Sequence, residues 1–220
     1  MPQLNFQIEG AEAVPYAAAP QINLKVRVQT SEPQLTVHNV LLQCQIQIEP
    51  ARRRYHAEEQ DKLRDLFGAP SRWGQTLRQM LWANSSVVIP PFQDSTVVDV
   101  PLPCTFDFNV AITKYLYGLQ DGDVPICVLF SGTIFYANER GQLQVAKIPW
   151  DREANYRLPI RVWKEMMDAY YPNAAWLCLP RDTFDQIYRY KIDRGILTWE
   201  QVLLNLLASA EENDLRKAGV

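Results

Sequence analysis

Three consecutive guanidiniums, Arg52, Arg53 and Arg54, stand where a well-alternating strand ends and a helical pattern begins. A guanidinium is planar, always charged and grips oxyanions in pairs. The triplet therefore suits a phosphate, a carboxylate or an acidic protein surface. The other reading is a set of salt bridges to the nearby Glu49, Glu58, Glu59 or Asp61, since a charge run is usually a solvated face. Arg72 and Trp73 follow in a turn rich in Pro, Ser and Gly. Arginine and tryptophan are the residue types most enriched in binding hot spots, although an indole can equally pin such a segment onto its own protein. These five residues are the candidate partner-binding set.

No other constellation reaches the threshold for catalysis or metal binding. His38 and His56 lack a Cys or Asp partner at ligand spacing. Ser131 lies in FSGT, which is not the G-x-S-x-G elbow. The chain has neither a dinucleotide fingerprint nor a phosphate loop. Asp121 and Asp123 form a DGD turn without the further carboxylates a calcium loop needs. Asp151 and Glu153 are either a carboxylate pair or the start of a helix. Cys44, Cys104, Cys127 and Cys178 are dispersed, and the first three read as small buried hydrophobes. The expectation is a chain with no catalytic residue, metal or cofactor.

The elements that position these residues are β at first. Residues 4–9 alternate, and GAEAVPYAAAP reads as a linker. Ile22, Leu24, Val26 and Val28 alternate with polar neighbours, the period-two mark of a strand with one buried face. Val40, Leu42, Cys44, Ile46 and Ile48 repeat the pattern, with Gln43, Gln45, Gln47 and Glu49 on the other face. That uncharged amide face suits being covered by another surface. A helix is expected over 57–67, ended by Gly68 and Pro70, and a second over about 74–83 carrying Leu77, Met80, Leu81 and Trp82. Strands return at 86–89 and 96–103, followed by a helix within 107–119. VPICVLFSGTIFY (124–136) reads as a central strand, with Gly132 at a bulge or a close backbone approach. Leu143, Val145 and Ile148 complete a hairpin. The last third is helical: a stripe of Ile160, Trp163, Met167 and Tyr170, then Phe184, Ile187 and Tyr188, then Val202, Leu203, Leu206 and Leu207 behind a Thr198/Gln201 capping box. WLCLP is a short extended piece, and the tail after Ala210 is expected to fray.

The 220 residues are 47% hydrophobic and 21% charged with a net charge of −3, an ordinary globular composition. The absence of a basic excess argues against nucleic acid as a partner. No apolar run approaches the roughly 20 residues of a membrane helix, and MPQLNFQIEG lacks the pattern of a signal peptide, so the expected compartment is the cytoplasm. The fold class is α+β: a single domain with an antiparallel sheet of six or seven strands (1–50 and 86–149), a helical insertion over 51–85, and C-terminal helices over 156–210 covering one sheet face.

The motifs CQIQIEPARRRY, LFGAPSRWGQTLRQMLW, LPCTFDF, FSGTIFY, IPWDREANYRLPIRVWKEMMDAYYPNAAWL and RDTFDQIYRYK resemble, nearly end to end, an uncharacterised bacterial protein family. The resemblance implies a genetic neighbourhood, since genes of that family commonly lie beside those of actinobacterial-type NiFe-hydrogenases and their maturation factors. The order of a GTIFY strand, a helix, an extended LP segment and another helix also looks like SecB-type export chaperones, although Thr133 interrupts their G-I-F and the 49–82 insertion has no counterpart there. The implied role is a non-catalytic, chaperone-like accessory factor that binds a hydrogenase subunit or maturation factor. Alternatives are a structural subunit of a finished complex, or an enzyme or binding module for a small anion. A homo-oligomer remains open.

Overall fold

The computed structural model describes residues 3–32, 34–105, 109–174 and 177–217. The first residues of the helix expected within 107–119, and Trp176 in WLCLP, lie outside them. The chain divides into two compact units, Met1–Ala174 and Ala175–Val220.

The first unit is built on eight strands: β1 (Leu4–Ala13), β2 (Gln21–Thr30), β3 (Val37–Ile48), β4 (Met80–Ile89), β5 (Ser95–Pro103), β6 (Asp123–Ala137), β7 (Leu143–Lys147) and β8 (Glu153–Pro159). All pairings are antiparallel. Instead of one sheet of six or seven strands, they form a three-stranded sheet in the order β1-β2-β5 and a five-stranded sheet, β4-β3-β6-β7, in which β8 also pairs with β6. β1 extends four residues beyond the expected strand, so the stretch read as a linker is partly strand. β1 runs beside β8 and β4 beside β5, so the two sheets adjoin at both edges and enclose the core between them. The alternating residues Ile22 to Val28 of β2 and Val40 to Ile48 of β3 are its walls, and Phe6 of β1 stacks on Phe130 of β6 across it with ring centroids 4.2 Å apart.

Between β3 and β4 the chain forms a 3-10 turn (Pro50–Arg52) and three short helices: α1 (Ala57–Lys62), α2 (Arg64–Phe67) and α3 (Trp73–Thr76). The helix expected over 74–83 is thus a single turn, and Met80, Leu81 and Trp82 belong to β4. Pairing with the long β3 outweighs the helical spacing of their side chains. The register of β4 slips by one residue at Trp82, because Ile46 faces Ala83 while Gln47 faces Leu81. That bulge turns both Trp82 and Ala83 inward.

α4 (Val110–Gly118) begins at Asn109, whose side chain accepts from the Ile112 amide at 3.1 Å. α5 (Ile160–Tyr170) packs on β1, β2 and β8 through Ile160, Trp163, Met166 and Met167. Its last residue, Tyr170, donates to the Ala17 carbonyl in the β1–β2 loop at 2.7 Å. The second unit consists of α6 (Arg181–Asp193) and α7 (Trp199–Lys217). α7 continues through most of the segment expected to fray, and the Thr198 hydroxyl accepts from the Gln201 amide at its start.

Gly132 is the close backbone approach expected within β6. Its φ is +143°, and a Cβ built there would lie 2.0 Å from the Leu41 carbonyl oxygen of β3. Cys44, Cys104 and Cys127 are buried and Cys178 is exposed. Burial pushes the thiols of Cys44 and Cys104 up to about 12. Burial, with Glu153 and Glu49 nearby, pushes that of Cys127 up to about 11. All three are protonated at neutral pH, which fits packing rather than reactivity.

Candidate functional site

The insertion does not present its apolar face to solvent. Leu63, Phe67 and Trp73 are buried, and they join Tyr55 and Tyr115 in an aromatic cluster. Tyr55 meets Trp73 edge-on at 5.1 Å, and Phe67 meets Trp73 at 5.9 Å and Tyr115 at 6.0 Å. The Trp73 Nε1–H donates to the Gly68 carbonyl at 2.9 Å. Tyr55 donates its only hydroxyl proton to the Pro50 carbonyl at 2.7 Å, so the Tyr115 hydroxyl, 3.0 Å away, donates to Tyr55. Gly118, at the end of α4, lies so close to Leu63 that a Cβ would sit 2.7 Å from its Cδ2. The insertion thus meets α4 through Leu63, Phe67 and Tyr55, the last two braced from within the insertion by Trp73. Replacing Trp73 with Phe keeps most of the ring packing and loses the Gly68 bond, and we expect a cost of about 1 kcal/mol in a denaturant titration.

The three arginines part company. Arg53 is the staple of the insertion: its side chain is 7% exposed, beside a Glu59 side chain at 0%. Its Nη2 donates to Glu59 Oε1 at 2.6 Å and to the Asp121 carbonyl at 2.7 Å, and its Nη1 to the Asp123 carbonyl at 2.7 Å. The DGD turn is thus a carbonyl cradle for a guanidinium, held open by Gly122 at φ +72°. Glu59 also accepts from the Gln120 amide at 2.8 Å and the His56 amide at 3.2 Å. Burial alone would push its carboxyl up, but those two amides and Arg53 outweigh it and hold the pKa below the ordinary value. Arg52 is exposed and held by Glu49 at 2.8 Å and Asn155 at 3.0 Å. Arg54 and Arg72 are exposed. The guanidiniums of Arg52 and Arg53 are thus tied to different partners and do not converge on one anion. Of the five candidate residues, Arg52, Arg54 and Arg72 lie at the surface, while Arg53 and Trp73 lie inside.

A broader surface is the outer face of the five-stranded sheet. On β3 it carries Leu41, Gln43, Gln45 and Gln47, the residues that alternate with the buried set. The strand register extends this into rows: Val88, Leu41, Thr133 and Lys147; Ser86, Gln43 and Ser131; Asn84, Gln45, Leu129 and Glu153. One end is apolar, with Leu41, Val88 and Val145 exposed and Leu143 beside them. The middle is amide and hydroxyl. At the other end Glu49, Arg52, Pro125, Asn155 and Arg157 line a depression of about 250 Å³. From Leu41 to Glu49 is eight residue steps, about 26 Å along the strand. The glutamines were legible as a coverable face. The apolar end has only a faint sequence signal, in that Leu41 and Val88 each follow another apolar residue and so break the alternation.

Asp151 and Glu153 do not begin a helix: Asp151 lies in a turn and Glu153 opens β8. Among the described residues no group of three or more His, Cys, Asp or Glu side chains is arranged to hold a metal ion. Among the described residues no helix is long and apolar enough to cross a membrane. Neither a curated protein nor a solved structure matches the chain. Residues 1–215 match the model of DUF6084, a family of unknown function, and the chain belongs to that family.

Proposed function

We propose that the protein is a non-catalytic accessory factor that binds another protein through the outer face of its five-stranded sheet. The observation that carries this reading is the composition of that face: apolar at Leu41, Val88 and Val145 beside Lys147, amide and hydroxyl in the middle, and mixed in charge at the far end, where Arg52 and Arg157 stand with Glu49 and Glu153. Apolar groups give affinity when water is excluded, amides adapt to a varied partner, and arginines at the rim steer an acidic one. Arg54 and Arg72 add to that steering. The partner we propose is a NiFe-hydrogenase subunit, precursor or maturation factor, and the role is chaperone-like assistance in assembly. The support for that identity is the resemblance to a family whose genes lie beside those of such hydrogenases.

The test is affinity capture of the full chain from cells producing the hydrogenase. Wild-type protein should retain a hydrogenase precursor or a maturation factor. The double variant Leu41→Lys/Val88→Glu places an attractive charge pair on directly opposed positions. It should keep the fold and lower capture at least about tenfold, equivalent to 1.4 kcal/mol. Stoichiometric co-purification with the finished, active enzyme would instead identify a structural subunit. Unchanged hydrogenase assembly and activity after deletion of the gene would rule the proposal out.

A further inference from the structure

The second unit has a surface its own fold does not account for. Among its described residues only Val202 is buried. The ring contacts between its helices converge on Trp199, which lies 5.2 Å from Phe184 and 6.0 Å from Tyr188, with the Lys191 ammonium 5.9 Å from its ring. Beyond Trp199 the apolar stripe of α7 continues without a cover: Leu203, Leu206 and Leu207 are 42%, 36% and 62% exposed. An α-helix of this composition gains its stability from packing such a stripe.

We propose that α7 pairs antiparallel with α7 of a second copy of this chain, across a twofold axis between Leu203 and Leu206, so that two hairpins form a four-helix bundle. Three observations select a second copy as the occupant. The first is area. Between Phe184 and Leu207 nine large apolar residues are 36–90% exposed. At about 200 Å² each they leave roughly 900 Å² of apolar side chain exposed over the two helices, of the order of the ~800 Å² one partner gives to a standard interface. The second is the seam itself. Trp199, Leu203, Leu206 and Ala210 are spaced four, three and four apart, a pattern identical when read backwards. Antiparallel pairing then sets Leu203 against Leu206 and the large Trp199 against the small Ala210, and does so twice, as an isologous contact requires. The third is charge. Gln201 to Ala210 carries none, so two copies meet without repulsion. This stripe shares no residue with the sheet face, and the two proposals stand or fall independently.

Sedimentation velocity of the full chain over a wide concentration range tests the pairing. Wild-type protein should be a dimer, and Leu203→Glu/Leu206→Glu should weaken it by at least about 100-fold, because each carboxylate would be buried against its apolar counterpart. The helical far-ultraviolet circular dichroism of the variant should match that of the wild type, which separates loss of pairing from loss of the α6–α7 hairpin. A dimer that survives the double substitution would place the contact elsewhere and overturn the proposal. So would a wild-type monomer. Hydrogen exchange on α7 then says what a monomer does with the stripe: slow exchange means that it is covered within the chain, fast exchange that it stays open.

Discussion

Replacing Arg53 with Ala is expected to lower the stability of the first unit by about 3–5 kcal/mol, the usual cost of leaving a buried charge without its partner. Glu59 is fully buried and would keep only the amides of Gln120 and His56. The carbonyls of Asp121 and Asp123 would lose their shared donor as well. For a unit of this size the loss corresponds to a fall of about 6–20 °C in Tm. The pH dependence has a definite sign. In the wild type the folded pKa of Glu59 lies below its ordinary value, so its contribution is complete above an unfolded pKa of about 4.3 and fades as pH falls through the folded one. In the variant, protonating Glu59 relieves a buried charge. The gap between the two proteins should therefore be widest at neutral pH and narrow in acid, as read by urea titration at a series of pH values. A gap independent of pH would mean that Arg53 acts by packing alone. Arg52→Ala, at an exposed ion pair, should cost less than about 1 kcal/mol.

Gly132→Ala is the second large effect. The methyl group would be built 2.0 Å from the Leu41 carbonyl, 3.1 Å from the Leu41 carbonyl carbon and 3.3 Å from the Leu42 Cα, at a φ of +143°. All three are backbone atoms of the neighbouring strand, so no side chain can swing aside. Relief requires β3 and β6 to separate at Leu42–Gly132, in the middle of their pairing. Backbone strain and overpacking each cost 1–3 kcal/mol, and together on the order of 3–5 kcal/mol. A shift in the denaturation midpoint of that size is the expected reading. By contrast, Gly141 has open space around its Cβ position, so Gly141→Ala is limited to the smaller cost of its positive φ.

Local pattern made much of this structure legible. The alternation in β2 and β3, the buried run of β6, the special role of Gly132 and the stripe on α5 all follow from neighbouring residues. Two kinds of feature do not. Met80, Leu81 and Trp82 are spaced as on a helix, and nothing local reveals the bulge by which β3 recruits them into a strand. The division among the arginines was also hidden. Three identical side chains stand in a row, and what makes Arg53 internal is a turn at 121–123, far along the chain. The alternative of neutralisation by neighbouring carboxylates was right for Arg52 with Glu49 and for Arg53 with Glu59. The carbonyl cradle that completes the Arg53 site has no signature within the insertion.

The distance between Arg53 and its cradle has a temporal consequence. Asp121 and Asp123 are 68 and 70 residues downstream, and Tyr115, which closes the aromatic cluster, is 60 residues beyond Tyr55. At translation rates of about 5–20 residues per second, Arg53 and Glu59 leave the ribosome about 3–14 s before the turn that seals them. Until then the nascent insertion holds a solvated ion pair and an uncovered aromatic face. Its closure reports that synthesis has passed the start of β6.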